Sequence, residues 1–361
     1  MLEWEHNIFS GRNGPINFVT YFVDYNICHT LRKEVAPLSV LRPSDLWASK
    51  LHIIKDDIDV DDICEKWRYF LFSHIFQSVS YISTQEFSKI RQPILLKTSG
   101  GYDHNDFTDC ATDNKLIRLT EAIKSNIESS GSEKDYVLLN QRPVGNRYLV
   151  EENTGQPLEQ YLRDALAKRE IPFKSCRFHE MTPVEQAQMC LGASTFISAH
   201  GAGCTNIIFT PLHCSVIEYN FRKYWNCDPV CDAHYNGTLS DNEPCNIQPK
   251  TYPQFHKADF HNLSHMLDRH YTELEVVRYA GYRTRNPIDR SSMYVDGLAL
   301  LEEIEKSRRV SDARKEQGFS HAEPGMAQRY VGESRYAPKW MSYIAKKRWR
   351  NFWSRVGLDL R

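Results

Sequence analysis

The sequence predicts an α/β protein of two domains built on parallel sheets, and three observations carry that expectation. Short apolar runs alternate with helix-like segments, the order that leads to parallel pairing. The length of 361 residues suits two cores of about 150 residues each better than one. A small, polar stretch with no apolar period, "ESSGSEKD" at 128–135, separates two such series.

Taken in order, the first series opens with a short apolar start and a turn at Gly11, Gly14 and Pro15. Apolar residues at Ile16, Val19, Phe22, Val23 and Ile27 then recur at helical spacing, giving strand, loop and helix. "QPILLKT" (92–98) reads as a buried strand, the polar loop "SGGYDHNDFTD" follows, and "NKLIRLTEAIKSNI" reads as a helix. After the break, "YVLLNQR" (136–142) is a strand and "GQPLEQYLRDALAKRE" (155–170) a helix. "TPVEQAQMCLGA" (182–193) is a second helix, with Thr182 as N-cap and Glu185 closing a capping box. "STFISAH" is the next strand, "TNIIFTP" a short helix stopped near Pro211, and "CSVIEYN" a further strand. The charged segment "LALLEEIEKSRRVSDARKEQ" reads as a helix facing solvent. No internal repeat or low-complexity segment is visible.

Composition narrows the function. Lys plus Arg total 45 and Asp plus Glu 46, a formal charge of -1, which argues against a general nucleic-acid binder. The most apolar long run, Tyr69 to Ile82, is broken by Ser73, His74, Gln77 and Ser78. With no basic, apolar and small-residue leader, a cytoplasmic chain is expected. In that compartment the ten cysteines are expected as thiols and the sequons at Asn236 and Asn262 as idle. Cys227, Cys231, His234 and Cys245 carry zinc-type donors, but at a spacing that matches no regular paired-ligand pattern, so free thiols are the favoured reading.

The chemistry concentrates at "FISAHGAGCTNIIF" (196–209), where a strand delivers His200, Gly201, Ala202 and Gly203 to a helix start at Thr205 and Asn206. Peptide N–H groups at a positive helix end suit a pyrophosphate, and the glycines permit close approach. The same spacing fits a tight turn around a buried histidine. A dinucleotide fingerprint fits poorly, because Asn206 stands where a third glycine belongs. An oxyanion loop of a hydrolase fits poorly too, because no G-x-S-x-G elbow exists and Cys204 lacks the flanking glycines.

The stretch "FISAHGAGCTNIIFTPLHCSVIEYN" resembles the signature of glycosyltransferase family 61: a strand, H-G-A-G-x-T-N, an apolar stretch with Phe and Pro, and a strand ending in Glu. Upstream, "YVLLNQRPVGNRYLVEE" is similar to the family's strand and arginine-bearing turn, and "FHEMTPVEQAQMCLGAS" to its Glu-Gln helix, so the resemblance runs in order over 136–220. Cys204 departs from the leucine common there.

The resemblance implies a GT-B architecture: two Rossmann-like domains with a cleft between them, and C-terminal helices. The divisions would be an acceptor domain at 1–130, a nucleotide-sugar domain at 131–336, and a basic aromatic helix at 337–361 packed back on the first domain. That last helix could alternatively rest on an anionic membrane. The resemblance further implies an inverting transferase that moves a sugar from a UDP-sugar donor to a hydroxyl of a glycan or glycoprotein acceptor, without a metal cofactor. Xylose is the favoured sugar, N-acetylglucosamine the alternative, and a non-catalytic nucleotide-sugar or glycan-binding module of the same fold the reading from another class.

Carried over by position, Arg142 and Arg147 would neutralise the diphosphate through forked guanidinium groups. His200, Gly201, Ala202, Gly203, Thr205 and Asn206 would hold diphosphate and sugar, and Glu218 the ribose hydroxyls. Glu185 and Gln186 match as well, but Glu185 already has its cap. Inversion needs a base for the acceptor hydroxyl. "EWEHNIFSGRNG", with Glu3, Glu5 and His6, and "GGYDHNDFTD", with Asp103, His104 and Asp106, are candidate loops, and Asp103 and His104 are favoured because their loop follows a predicted strand.

Overall fold

The structure, a computed structural model, describes residues 15–21, 26–39, 41–56, 58–91, 93–96, 115–127, 134–220, 259–281 and 291–316. Two compact units divide the chain between Ile127 and Glu128.

The first unit holds a four-stranded parallel sheet of β1 (Asn17–Tyr21), β2 (Lys50–Ile54), β3 (Ser78–Ile82) and β4 (Ile94–Leu95), in the order β3-β2-β1-β4. Over Asn17–Tyr21 the expected helix is corrected to β1, and a helix begins only at Ile27. Phe18, Val19 and Thr20 are consecutive and all buried, as in a central strand covered on both faces, and that burial outweighs the helical spacing of the apolar residues. The apolar run from Tyr69 likewise resolves into the end of a helix, Ile63–Ser73, and the edge strand β3.

Under this sheet lies a buried charge network. The Arg68 guanidinium spans Glu34, with Nε donating to Oε2 at 2.8 Å and Nη2 to Oε1 at 2.6 Å, and it reaches Glu65 Oε2 at 3.2 Å. Thr20 and Tyr81 hydroxyls donate to Glu34 and Glu65. Burial holds the Glu65 carboxyl above its usual range, with Arg68 and Tyr81 offsetting part of that cost.

The second unit carries a five-stranded parallel sheet. Its strands are β5 (Tyr136–Asn140), β7 (Phe173–Cys176), β8 (Ala193–Ala199), β9 (Ser215–Asn220) and β10 (His270–Glu275), ordered β10-β9-β8-β5-β7. A smaller sheet joins β6 (Tyr148–Glu151) in parallel to β12 (Ser291–Val295), which pairs antiparallel with β11 (Arg278–Gly281).

Side chains alternate along each strand, so the large sheet has two distinct faces. On one, Val137, Leu139, Ile197, Ala199, Ile217 and Tyr219 form a core with Leu158, Leu162 and Leu166, which recur every four residues on the Leu158–Ala167 helix. Each such buried leucine contributes about 1.5–3 kcal/mol. Leu300, Leu301 and Ile304 join the same core from the Gly297–Glu316 helix. The expectation that this charged helix simply faces solvent is therefore corrected: its apolar stripe is narrow and was hidden among Glu, Lys and Arg.

The other face carries polar groups where the strands end. The register aligns Asn140 with Ser198, Ser198 with Glu218, and Glu218 with Glu273, a polar row across four parallel strands. The carboxyl edge of a parallel sheet is where α/β folds place their ligands. Among the described residues no helix is long and apolar enough to cross a membrane.

Candidate active site

The site is built on the turns that leave β5 and β8. After β5 the chain runs through Arg142, Pro143, Val144, Gly145 and Asn146 to Arg147, where the backbone is left-handed at φ 57. A non-glycine residue in that region costs about 1–2 kcal/mol, so the surroundings must hold it there. One such hold is visible: Arg147 Nη1 donates to the His200 carbonyl at 2.6 Å.

Gly201 explains itself against the same two arginines. Its φ of 148 disfavours a side chain, and a Cβ added there would collide with Arg142 Nη1 and stand 2.8 Å from Arg147 Nη1. Both guanidinium groups thus converge on bare backbone at the end of β8. Gly203 is used differently, since its Cβ would meet Asn140 Nδ2 at 2.5 Å. Asn140 in turn donates to Ser198 Oγ at 3.0 Å and accepts from Phe178 N–H at 3.4 Å.

The helix after the loop is a 3-10 helix, Ala202–Phe209, and from Cys204 onward its residues are buried. Thr205 and Asn206 are therefore fully enclosed. The Asn206 amide donates to Gln186 Oε1 at 3.0 Å and to the Gly203 carbonyl at 3.2 Å, and Gln186 Nε2 donates to the Phe178 and Met181 carbonyls. The Asn206 amide thereby ties the loop to the preceding helix. That helix, Pro183–Leu191, starts with the expected capping box of Thr182 and Glu185. Gln186, to which sequence reasoning gave no task, is the member of the Glu-Gln pair that supports the loop.

His200 is held by three elements. Its Nδ1 lies 2.5 Å from Glu218 Oε1, and its ring meets Phe260 edge-on at 5.4 Å. Arg147 fixes its carbonyl, and its N–H donates to Tyr219 O at 2.9 Å. Glu218 is 1% exposed, and its second oxygen accepts from the Tyr271 phenol at 2.5 Å. Both carboxylate oxygens are thus engaged by protein groups. Phe260 and Tyr271 carried no signal in the sequence: the register of β10 beside β9 reveals Tyr271, and the Asp259–Met266 helix brings Phe260.

Cys204 is buried, and its thiol is pushed well above the ordinary range by burial and then by the Glu218 charge. It is thus no activated nucleophile. Native protein treated with iodoacetamide near pH 8 is expected to leave Cys204 unmodified by peptide mass mapping, whereas rapid alkylation would restore the hydrolase reading.

The proposed bases Asp103 and His104, the other loop candidates Glu3, Glu5, His6 and Asp106, the thiol group Cys227, Cys231, His234 and Cys245, and the 337–361 segment lie outside the described residues.

The family profile described as Glycosyltransferase 61 matches residues 17–217, more than half of the 361. The chain belongs to glycosyltransferase family 61. No curated protein matches it. As a family 61 glycosyltransferase it carries Arg142, Arg147 and the His200–Gly203 loop inside the matched region, while Glu218, Phe260 and Tyr271 lie beyond it.

Proposed function

We propose that this family 61 chain is an inverting glycosyltransferase that takes a sugar from a UDP-sugar and gives it to a hydroxyl of a glycan or glycoprotein acceptor. The observation that carries the donor reading is the convergence of Arg142 and Arg147 on Gly201, at the carboxyl end of β8. Two guanidinium groups brought so close repel each other, and a diphosphate between them would turn that repulsion into charge-assisted hydrogen bonds. Backbone N–H groups at the start of the Ala202–Phe209 helix would add donors for the same anion. Cationic side chains and helix end would then do what a metal ion does elsewhere for a leaving diphosphate, so transfer is expected to survive EDTA. Loss on chelation with recovery on adding Mg2+ or Mn2+ would contradict that part.

In this reading the two units are the two Rossmann-like domains of a GT-B enzyme, and the second binds the donor. Xylose is the favoured sugar and N-acetylglucosamine the alternative, both following from the family resemblance. The acceptor's base belongs to the first domain in this reading, with Asp103 and His104 as its candidates. The deciding experiment is a thermal-shift panel of UDP-, GDP- and CMP-sugars, because a ligand bound only by the native state raises apparent stability. A shift confined to UDP compounds is expected. No shift with any UDP-sugar would remove the reading.

A further inference from the structure

We propose that Tyr271 is a positioning residue, which acts through Glu218 to set the tautomer and the plane of the His200 ring. The inference rests on the donor site proposed above for its catalytic consequence, but not for its structural content.

A carboxylate oxygen can only accept, so the 2.5 Å contact between Glu218 Oε1 and His200 Nδ1 places the hydrogen on Nδ1. The state of one imidazole nitrogen is set by the hydrogen bond made at the other, which leaves Nε2 as the nitrogen whose chemistry is directed elsewhere. Glu218 can do this only if its carboxylate does not rotate. Tyr271, two residues earlier in register on the neighbouring strand β10, donates its phenol hydrogen to Oε2 at 2.5 Å and fixes the carboxylate plane. Burial and the Glu218 charge both hold the phenol well above its ordinary range, so its proton stays in place as a donor.

The tyrosine is itself oriented. The His261 ring meets it edge-on at 5.1 Å, with the planes at 86°. Phe260, the neighbour of His261 on the Asp259–Met266 helix, meets the His200 ring in the same manner. One short helix thereby braces both ends of the Tyr271, Glu218 and His200 chain.

Tyr271→Phe tests this, since it keeps the ring and its packing and removes one hydrogen bond. In 15N-histidine-labelled wild-type protein, His200 is expected to show a protonated Nδ1. In the variant its signals are expected to broaden or to report a mixture of tautomers, and Glu218→Gln is expected to do the same. With UDP-xylose or UDP-N-acetylglucosamine, whichever the wild type turns over, kcat should fall about tenfold, the usual effect of one hydrogen bond to a charged group. The Kd for UDP should change less than about twofold, because Tyr271 touches no ligand in this scheme.

An unprotonated Nδ1 in the wild type, or a His200 spectrum unchanged in Tyr271→Phe, would overturn the proposal. A parallel fall of kcat, UDP affinity and Tm would do so too, by showing a merely structural role. If the wild type neither binds UDP nor turns over either donor, the donor reading fails, while the nitrogen spectra still decide the role of Tyr271.

Discussion

Arg142→Ala is expected to weaken UDP binding by roughly 10- to 100-fold while leaving the fold intact. The residue is only partly buried and lies in a turn, so its removal opens no cavity in the core of the second unit. In the proposed donor site, what would be lost is a forked pair of charge-assisted hydrogen bonds to phosphate oxygens, each contributing about 1.5–3 kcal/mol, with part of the loss recovered by water. Arg142→Lys should fall between the two, because an ammonium keeps the charge and loses the fork. Titration of UDP into the three proteins, with circular dichroism as the control for folding, separates these effects. Equal affinity in all three would place the diphosphate away from Arg142.

The second large effect is expected from a single methyl group. Gly201→Ala asks an L residue to adopt φ 148, and it drives a Cβ into the space that Arg142 Nη1 occupies, 2.8 Å from Arg147 Nη1. Backbone strain of this kind costs about 1–3 kcal/mol. The guanidinium groups must also separate, and Arg147 would lose its 2.6 Å bond to the His200 carbonyl. UDP affinity is expected to fall by at least about tenfold, with a small drop in Tm. Gly203→Ala is a useful contrast, because its Cβ meets Asn140 rather than an arginine, so it should disturb the loop's support more than its charge.

Much of the second unit was legible in the sequence, and the reason is physical. β5, β8 and β9 are central parallel strands, so they appear as near-continuous apolar runs, and the capping box of Thr182 and Glu185 announces the helix between them. The first unit was harder to read. β1 shares its apolar residues with a helical spacing, and β2 carries His52, whose ring nitrogens pair with Ser80 and Asn17 across the sheet. Such polar rows erase the strand pattern until register is known.

The same limit applies to the site. Arg142, Arg147 and the two glycines could be named from motif order, because each is read within one loop. The partners of His200 could be named only in part. Glu218 was visible as a strand-ending acid, but its engagement by Tyr271 depends on β10 lying beside β9, a pairing across about fifty residues of chain that no local pattern encodes. Asn206 is a second case. Its polarity was plain, and only packing shows that Gln186 already takes it.

The proposed donor site is tested most directly by calorimetric titration of UDP into the native protein and into folded Gly201→Ala. The account predicts saturable one-to-one binding by the native protein and a loss of at least about tenfold in the variant. An absence of binding by the native protein, or the same Kd in both, would contradict it.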